Sequence, residues 1–335
     1  MLNNALFEAV KARHLGVVSA LLKRAENLDF ADSDGLTLLM IASKGGSLPI
    51  VKALLKAGAS PLITDREGRT ALHWAAMMGH SLVLDVLVSE GSDINAQTRQ
   101  GITPLMALID TRHTDAALRF LAHPELELEL ADQDGKTALD YAASRSMPEV
   151  LSVLLERKRQ LSPSAEPNLV AKDRFGLTAL HQAVRQGDLE TLLVLLKTPN
   201  VDINARSDAG ESVLLAATKS GAMSCVEQLL LAGADPDLAG KNGETPVFEA
   251  ARLNRQVILE LLIKAGANCD AKLRNGQTPL MIAIRERNIE IVRMLLTHGV
   301  DLHQRDMDGN GPLTYAAASG LEEVTTLLVE AGADC

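Results

Sequence analysis

Apolar residues are not spread evenly along the chain. They recur in two short runs per interval, at fixed offsets from glycines that stand two positions before a Thr or Ser: Gly35, Gly68, Gly101, Gly135, Gly176, Gly210, Gly243 and Gly276, with Gly309 continuing the register. The spacings are 33, 33, 34, 41, 34, 33, 33 and 33. A period held over nine units is a structural repeat, and it must be read before any count of domains is made from length.

The offsets predict the elements. Thr37, Thr70, Thr103, Thr137, Thr178, Thr245 and Thr278, with Ser212 once, are placed as helix N-caps, each with a hydroxyl for an unpaired first-turn amide. Pro104, Pro246, Pro279 and Pro312 follow at the first helical position, where a missing N–H costs nothing. Alanine recurs five residues after the cap (Ala42, Ala75, Ala142, Ala183, Ala217, Ala250, Ala283, Ala316), small enough for two helices to approach closely. A second helix carries aliphatic pairs such as Leu54-Leu55, Leu229-Leu230 and Leu295-Leu296, and ends at Gly58, Gly91, Gly233, Gly266, Gly299 and Gly332, the residue type that a left-handed C-terminal turn favours. One unit is therefore turn, short helix, turn, longer helix, turn. So short a unit buries too few side chains to offset its chain entropy, so neighbours must stack and share a core.

Here the chain resembles a known family. Asp65-Arg66-Glu67-Gly68-Arg69-Thr70-Ala71-Leu72-His73-Trp74-Ala75-Ala76, Phe175-Gly176-Leu177-Thr178-Ala179-Leu180-His181-Gln182-Ala183 and the endings Ala265-Gly266-Ala267-Asn268 and Ala331-Gly332-Ala333-Asp334 are similar to the ankyrin repeat. The resemblance implies an all-α solenoid of stacked helix-turn-helix units with hairpin-like turns. On this reading residues 1–335 form a single array of about ten repeats: an N-terminal capping repeat at 1–32, repeats at 33–156, a loop insertion at 157–170, and repeats at 171–335 with the last one a C-terminal cap. The array is expected to close near Cys335 without a further domain. The family's Thr-to-His bond is expected at His73 and His181 alone.

The middle of the chain departs from the pattern. Leu108 replaces the small residue, Arg112 and Ser146 replace inter-helix glycines, and Pro124 replaces a terminal glycine. The longest spacing places its excess in Arg157 to Asn168, whose prolines and serines predict an exposed loop, with Arg157-Lys158-Arg159 as a solvated helix end. Two readings of this region stay open: drift on a tolerant surface, or a partner contact or kink between half-arrays.

Composition narrows function. Aromatics are 2% of the chain and the net charge is −10, which argues against nucleic-acid binding by phosphate neutralisation and stacking. No apolar run spans a bilayer. No secretory leader is visible, so a cytoplasmic setting is expected, or a periplasmic or secreted one if a leader was removed before residue 1. Cys225, Cys269 and Cys335 lack paired spacing and read as free thiols. Phosphate-loop, serine-hydrolase and zinc-protease motifs are absent, so neither catalysis, a metal nor a cofactor is expected.

The resemblance implies that turn tips and first-helix ends line a concave face that grips partners. Thirteen of those positions are basic and nine acidic, a surplus of four on an acidic molecule. Arg66, Arg69, Met77, Met78, Arg99, Lys136, Arg145, Arg174, Phe175, Arg185, Lys219, Lys241, Arg252, Arg274 and Arg285 are the candidate contacts. Among them Arg185, Lys219, Arg252 and Arg285 share one register and are expected to form a basic ladder. The expected activity is non-catalytic binding of another protein with an acidic surface or segment, by a monomer serving as adaptor or occluding inhibitor. The alternatives are an immunity protein or secreted effector directed at one enzyme, an enzyme using the 157–170 loop, and a nucleic-acid reader using the ladder.

Overall fold

The computed structural model describes residues 2–161, 172–199 and 201–333. These residues form helices and turns with three isolated β-bridges, and the chain divides into two compact units, Met1–Pro167 and Asn168–Cys335.

In the first unit the helices are α1 (Leu2–Lys11), α2 (Leu15–Leu22), α3 (Leu38–Lys44), α4 (Leu48–Lys56), α5 (Ala71–Met77), α6 (Ser81–Ser89), α7 (Pro104–Asp110), α8 (Thr114–Phe120), α9 (Ala138–Ser144) and α10 (Pro148–Leu161). The odd-numbered, first helices pack on one another in sequence and so do the second helices, each pair closing on itself. The second unit repeats this with α11 (Ala179–Gln186), α12 (Leu189–Leu196), α13 (Val213–Ser220), α14 (Met223–Leu231), α15 (Pro246–Arg252), α16 (Gln256–Lys264), α17 (Pro279–Arg285), α18 (Ile289–Thr297), α19 (Pro312–Ala318) and α20 (Glu322–Glu330).

Local chemistry explains the elements. Thr37, Thr103, Thr245, Thr278 and Ser212 accept from the amides of Met40, Met106, Phe248, Met281 and Leu215 at 3.2–3.3 Å, so each short helix starts where the hydroxyl stands. The alanines five residues on are buried with almost no exposed surface. Leu108, in the same register, is buried too, so the first helices around it accommodate a larger side chain.

Glycine is required at the turns for two reasons at once. Gly68 has φ +81°, and a Cβ there would lie 2.9 Å from the backbone nitrogen of Arg99 in the next repeat. Between the two helices of a repeat the chain also turns left-handed, and it does so even without glycine: Arg112 and Ser146 hold φ +59° and +56°. Side chains at such angles cost roughly 1–2 kcal/mol. Packing of the neighbouring repeats imposes the turn regardless of the residue that fills it.

One boundary differs from the expectation. Residues 157–161 are not loop: α10 runs to Leu161. Arg157 donates through Nη1 to the carbonyls of Leu121 and His123, the latter at 2.9 Å. Lys158 is buried and pairs with Glu129 at 2.8 Å, so within the basic triplet only Arg159 is a solvated end. The reason lies in the preceding repeat. Pro124 stands where a terminal glycine would otherwise close the helix, and proline has no N–H to offer the last carbonyls. Arg157 supplies those donors from the next repeat. Residues 162–170 of the expected insertion lie outside the described residues.

Candidate functional site

The turn tips are held by their own hydrogen bonds. Asp65 Oδ1 accepts from the amides of Glu67 and Arg69 at 3.0 and 2.9 Å, and Asp132, Asp173 and Asp306 repeat the arrangement. Tips also bond to each other through the backbone: Arg99 N–H to Glu67 at 2.8 Å and Gln133 N–H to Gln100 at 2.9 Å in the first unit, Asp208 N–H to Phe175, Arg274 N–H to Asn242 and Met307 N–H to Asn275 in the second. The side chains they carry are therefore presented on a fixed frame.

A further tie, which the sequence reading missed although its register marks it, fixes three of the turns. The chain's one Trp and both Tyr stand at the same place in their repeats, six residues after the turn glycine. Each donates to the turn aspartate: Trp74 Nε1 to Asp65 at 3.1 Å, Tyr141 to Asp132 at 2.8 Å, Tyr315 to Asp306 at 2.6 Å. Burial and the carboxylate beside it push the Tyr141 phenol well above its ordinary range. Two cations also lie over the Trp74 ring, Lys44 at 4.5 Å and Arg69 at 4.3 Å from its centroid.

His73 and His181 make the expected bonds, with Thr70 and Thr178 at 3.0 Å from Nδ1, and each reaches a carbonyl of the following repeat through Nε2, Ile102 at 3.0 Å and Glu211 at 3.1 Å. With Nε2 donating to a carbonyl, Nδ1 is the acceptor. Burial lowers the pKa of both rings despite those carbonyls. The position is also filled by other acceptors. Asp140 accepts from Thr137 N–H and Oγ1 at 2.9 and 2.8 Å, and the sulfurs of Met40 and Met106 lie 3.4 Å from the cap amides.

The candidate contacts fall into two groups. Arg66, Arg99, Lys241 and Arg274 are exposed at turn tips and have no ion pair among the described residues. Lys136 is half-buried in its turn, Met77 is partly covered, and Met78 and Phe175 are exposed, the latter beneath the Arg174 guanidinium at 4.6 Å. The others are engaged. Arg69 binds Asp65 at 2.8 Å and Glu67 at 2.6 Å, and Arg145 binds Asp110 at 2.5 Å.

The basic ladder is stapled by carboxylates. Arg185 and Lys219 share Glu211 at 2.7 and 3.1 Å, Arg252 holds Glu249 at 2.6 Å, and Arg285 meets Glu286 at 3.2 Å. Burial would raise the Glu211 pKa, but the hydrogen bonds from Arg185 and Lys219 outweigh it and hold it below the usual range. Glu249 is buried six residues after its turn glycine, the place of Trp74 and Tyr141, which is why a charge tally over tips and helix ends misses it. The ladder's positive charge is therefore largely spent within the chain.

Two cavities open on these rows. In the first unit one of about 580 Å³ lies among residues that include Arg66, Glu67, Arg69, His73, Met77, Arg99, Ile102, Ala107, Asp110 and Tyr141. In the second, one of about 460 Å³ is lined by Arg185, Glu211, Leu215, Lys219, Lys241 and Glu244. Among the described residues no group of three or more His, Cys, Asp or Glu is placed to hold a metal ion, and no helix is long and apolar enough to cross a membrane. Cys225 and Cys269 are free and buried, and burial pushes both thiols up to about 11. Cys335 lies outside the described residues.

Paired helices, capped by Thr and stacked through alanines with glycine turns between, define a helical-repeat protein. The sequence places it more narrowly. Residues 6–98, 83–165, 180–273, 213–306 and 267–335 match the family described as ankyrin repeats (3 copies), and the chain belongs to that family. It is 32% identical over 143 residues to mouse rabankyrin-5, an alignment covering 42% of this chain and 12% of that protein. It is 33% identical over 134 residues to the mouse B-cell lymphoma 3 protein homolog, covering 40% of this chain and 29% of the relative. The chain thus spans a small part of the curated relatives it matches. The crystal structure of the ankyrin repeat domain of Bcl-3, described as a unique member of the IkappaB protein family, superposes with a TM-score of 0.60 at 27% identity, over 69% of this chain and 99% of that one. Ankyrin repeats are protein–protein interaction modules, and the family is in general non-catalytic.

Proposed function

We propose that this chain grips a partner protein with its turn tips and first-helix ends, acting as an adaptor or as an inhibitor that occludes its partner. The observation that carries this reading is the fixed frame: exposed side chains stand on turns whose backbone groups are bonded within the turn and to the next tip, so little ordering remains to be done on binding. Arg66, Met78, Arg99, Phe175, Lys241 and Arg274 are among the exposed members of that surface. Their basic character favours a partner with an acidic surface or segment.

Site-specific photo-crosslinking tests the reading. A benzophenone side chain introduced at Met78 or Phe175 is expected to trap one protein from the native lysate at least fivefold more than the same group at Val153 or Met223, exposed on second helices. Equal yields from the second helices would refute it.

A further inference from the structure

We infer that the cavity of the first unit receives an extended acidic polypeptide segment whose carboxylates flank an aliphatic or methionine side chain. The inference rests on the binding-module reading and narrows it to one cavity and one partner chemistry.

Charge decides which cations are available. In the first unit's cavity Arg69 is committed to Asp65 and Glu67, and Asp110 to Arg145, which leaves Arg66 and Arg99 as guanidiniums with no carboxylate partner among the described residues. They stand on adjacent tips, joined through the Arg99 N–H bond to Glu67 at 2.8 Å. Each presents a planar fork suited to a carboxylate. In the second unit's cavity Glu211 neutralises Arg185 and Lys219, and the remaining cation, Lys241, shares the lining with Glu244. Both cavities hold acids, but those of the first, Glu67 and Asp110, are paired with Arg69 and Arg145 and leave two guanidiniums over, whereas the second leaves a single lysine beside Glu244.

The floor decides the rest. Met77, Ile102, Ala107 and the Tyr141 ring line the first cavity beside the two arginines, and Met77 and Ile102 are only partly covered. Methionine adapts to irregular apolar partners. His73, also in the lining, has its pKa lowered by burial, so it adds apolar edge rather than a third cation near neutral pH. A segment bearing acids alone leaves this floor wet, and a purely apolar one leaves both guanidiniums unanswered. The combination satisfies both.

The test uses the full chain as bait for a displayed library of random twelve-residue peptides, followed by fluorescence anisotropy on the enriched peptides carrying fluorescein. The expected winners contain two or more Asp or Glu around a Leu, Ile or Met. Arg66→Glu with Arg99→Glu is expected to weaken them at least tenfold, Arg66→Gln with Arg99→Gln by a lesser factor, and Arg252→Glu with Arg285→Glu by less than twofold. Raising salt should weaken the wild type more than the Gln variant. Unchanged melting of each variant by circular dichroism keeps the comparison clean. Winners without acids, no enrichment at all, or loss only with the second-unit pair would overturn the inference. The last of these leaves the binding-module reading standing, whereas equal crosslinking from second helices defeats that reading whatever the peptides do.

Discussion

At the residue scale the two cap histidines make stability depend on pH in a stated direction. In the folded chain Nδ1 of His73 and His181 faces the Thr70 and Thr178 amides and hydroxyls, and Nε2 donates to a carbonyl, so a second ring proton would meet a donor. Burial, the largest cause, places both folded pKa values below the ordinary histidine value of 6.5. A group with a depressed folded pKa binds more protons when unfolded, so stability falls as pH drops from about 6.5 toward the folded values. The urea midpoint is therefore expected to be lower at pH 5.5 than at pH 7.5. The double variant His73→Gln with His181→Gln should start lower but lose less over the same interval. A pH response as large in the variant as in the wild type would show that these rings are not its source. The caps themselves were legible, because a hydroxyl two residues after a recurring glycine has one obvious use. The replacement acceptors were less so: Asp140 and the Met40 and Met106 sulfurs serve the same amides, and nothing in the side-chain names marks a thioether as a cap partner.

At the element scale α10 is the informative case. Its last turn was expected as loop, because Arg157, Lys158 and Arg159 read as a solvated cluster and the prolines and serines lie just beyond them. The signal that would have corrected this is in the other repeat. Pro124 removes a donor from the exit of α8, and Glu125, Glu127 and Glu129 alternate with buried Leu126 and Leu128, so an acid and two unbonded carbonyls wait for basic side chains. Arg157 meets the carbonyls of Leu121 and His123, and Lys158 meets Glu129. Charged groups hydrogen-bonded in this way contribute about 1.5–3 kcal/mol, and Arg157 is only half-buried, which places it toward the lower end. Arg157→Ala is expected to lower unfolding free energy by about 1–2 kcal/mol in a denaturant titration, while Arg159→Ala, at an exposed side chain, changes it within about 0.5 kcal/mol. Equal effects at the two positions would mean that the triplet is solvated throughout, as first expected.

At the scale of the whole molecule, register carried nearly all of the fold. Thr, Ala and Gly recur because each holds a position that the stack constrains: a helix start, a close helix approach, a left-handed turn. The candidate surface was legible only as a list of places. Which charges on it are available depends on contacts between side chains in different parts of a repeat or in neighbouring repeats, such as Glu211 with Lys219 or Asp110 with Arg145, and register places these residues without saying which way they reach. The same holds for Trp74, Tyr141 and Tyr315, which share a register, but whose common bond to the turn aspartate appears only in the folded chain.

The central claim is that recognition belongs to the turn tips and first helices. It is met most directly by hydrogen–deuterium exchange on the chain with and without its captured partner. Protection is expected to gather at the tips around Gly68 and Gly101 and along α5 and α7, with α6 and α8 exchanging as in the free chain. Protection confined to the second helices would contradict the account.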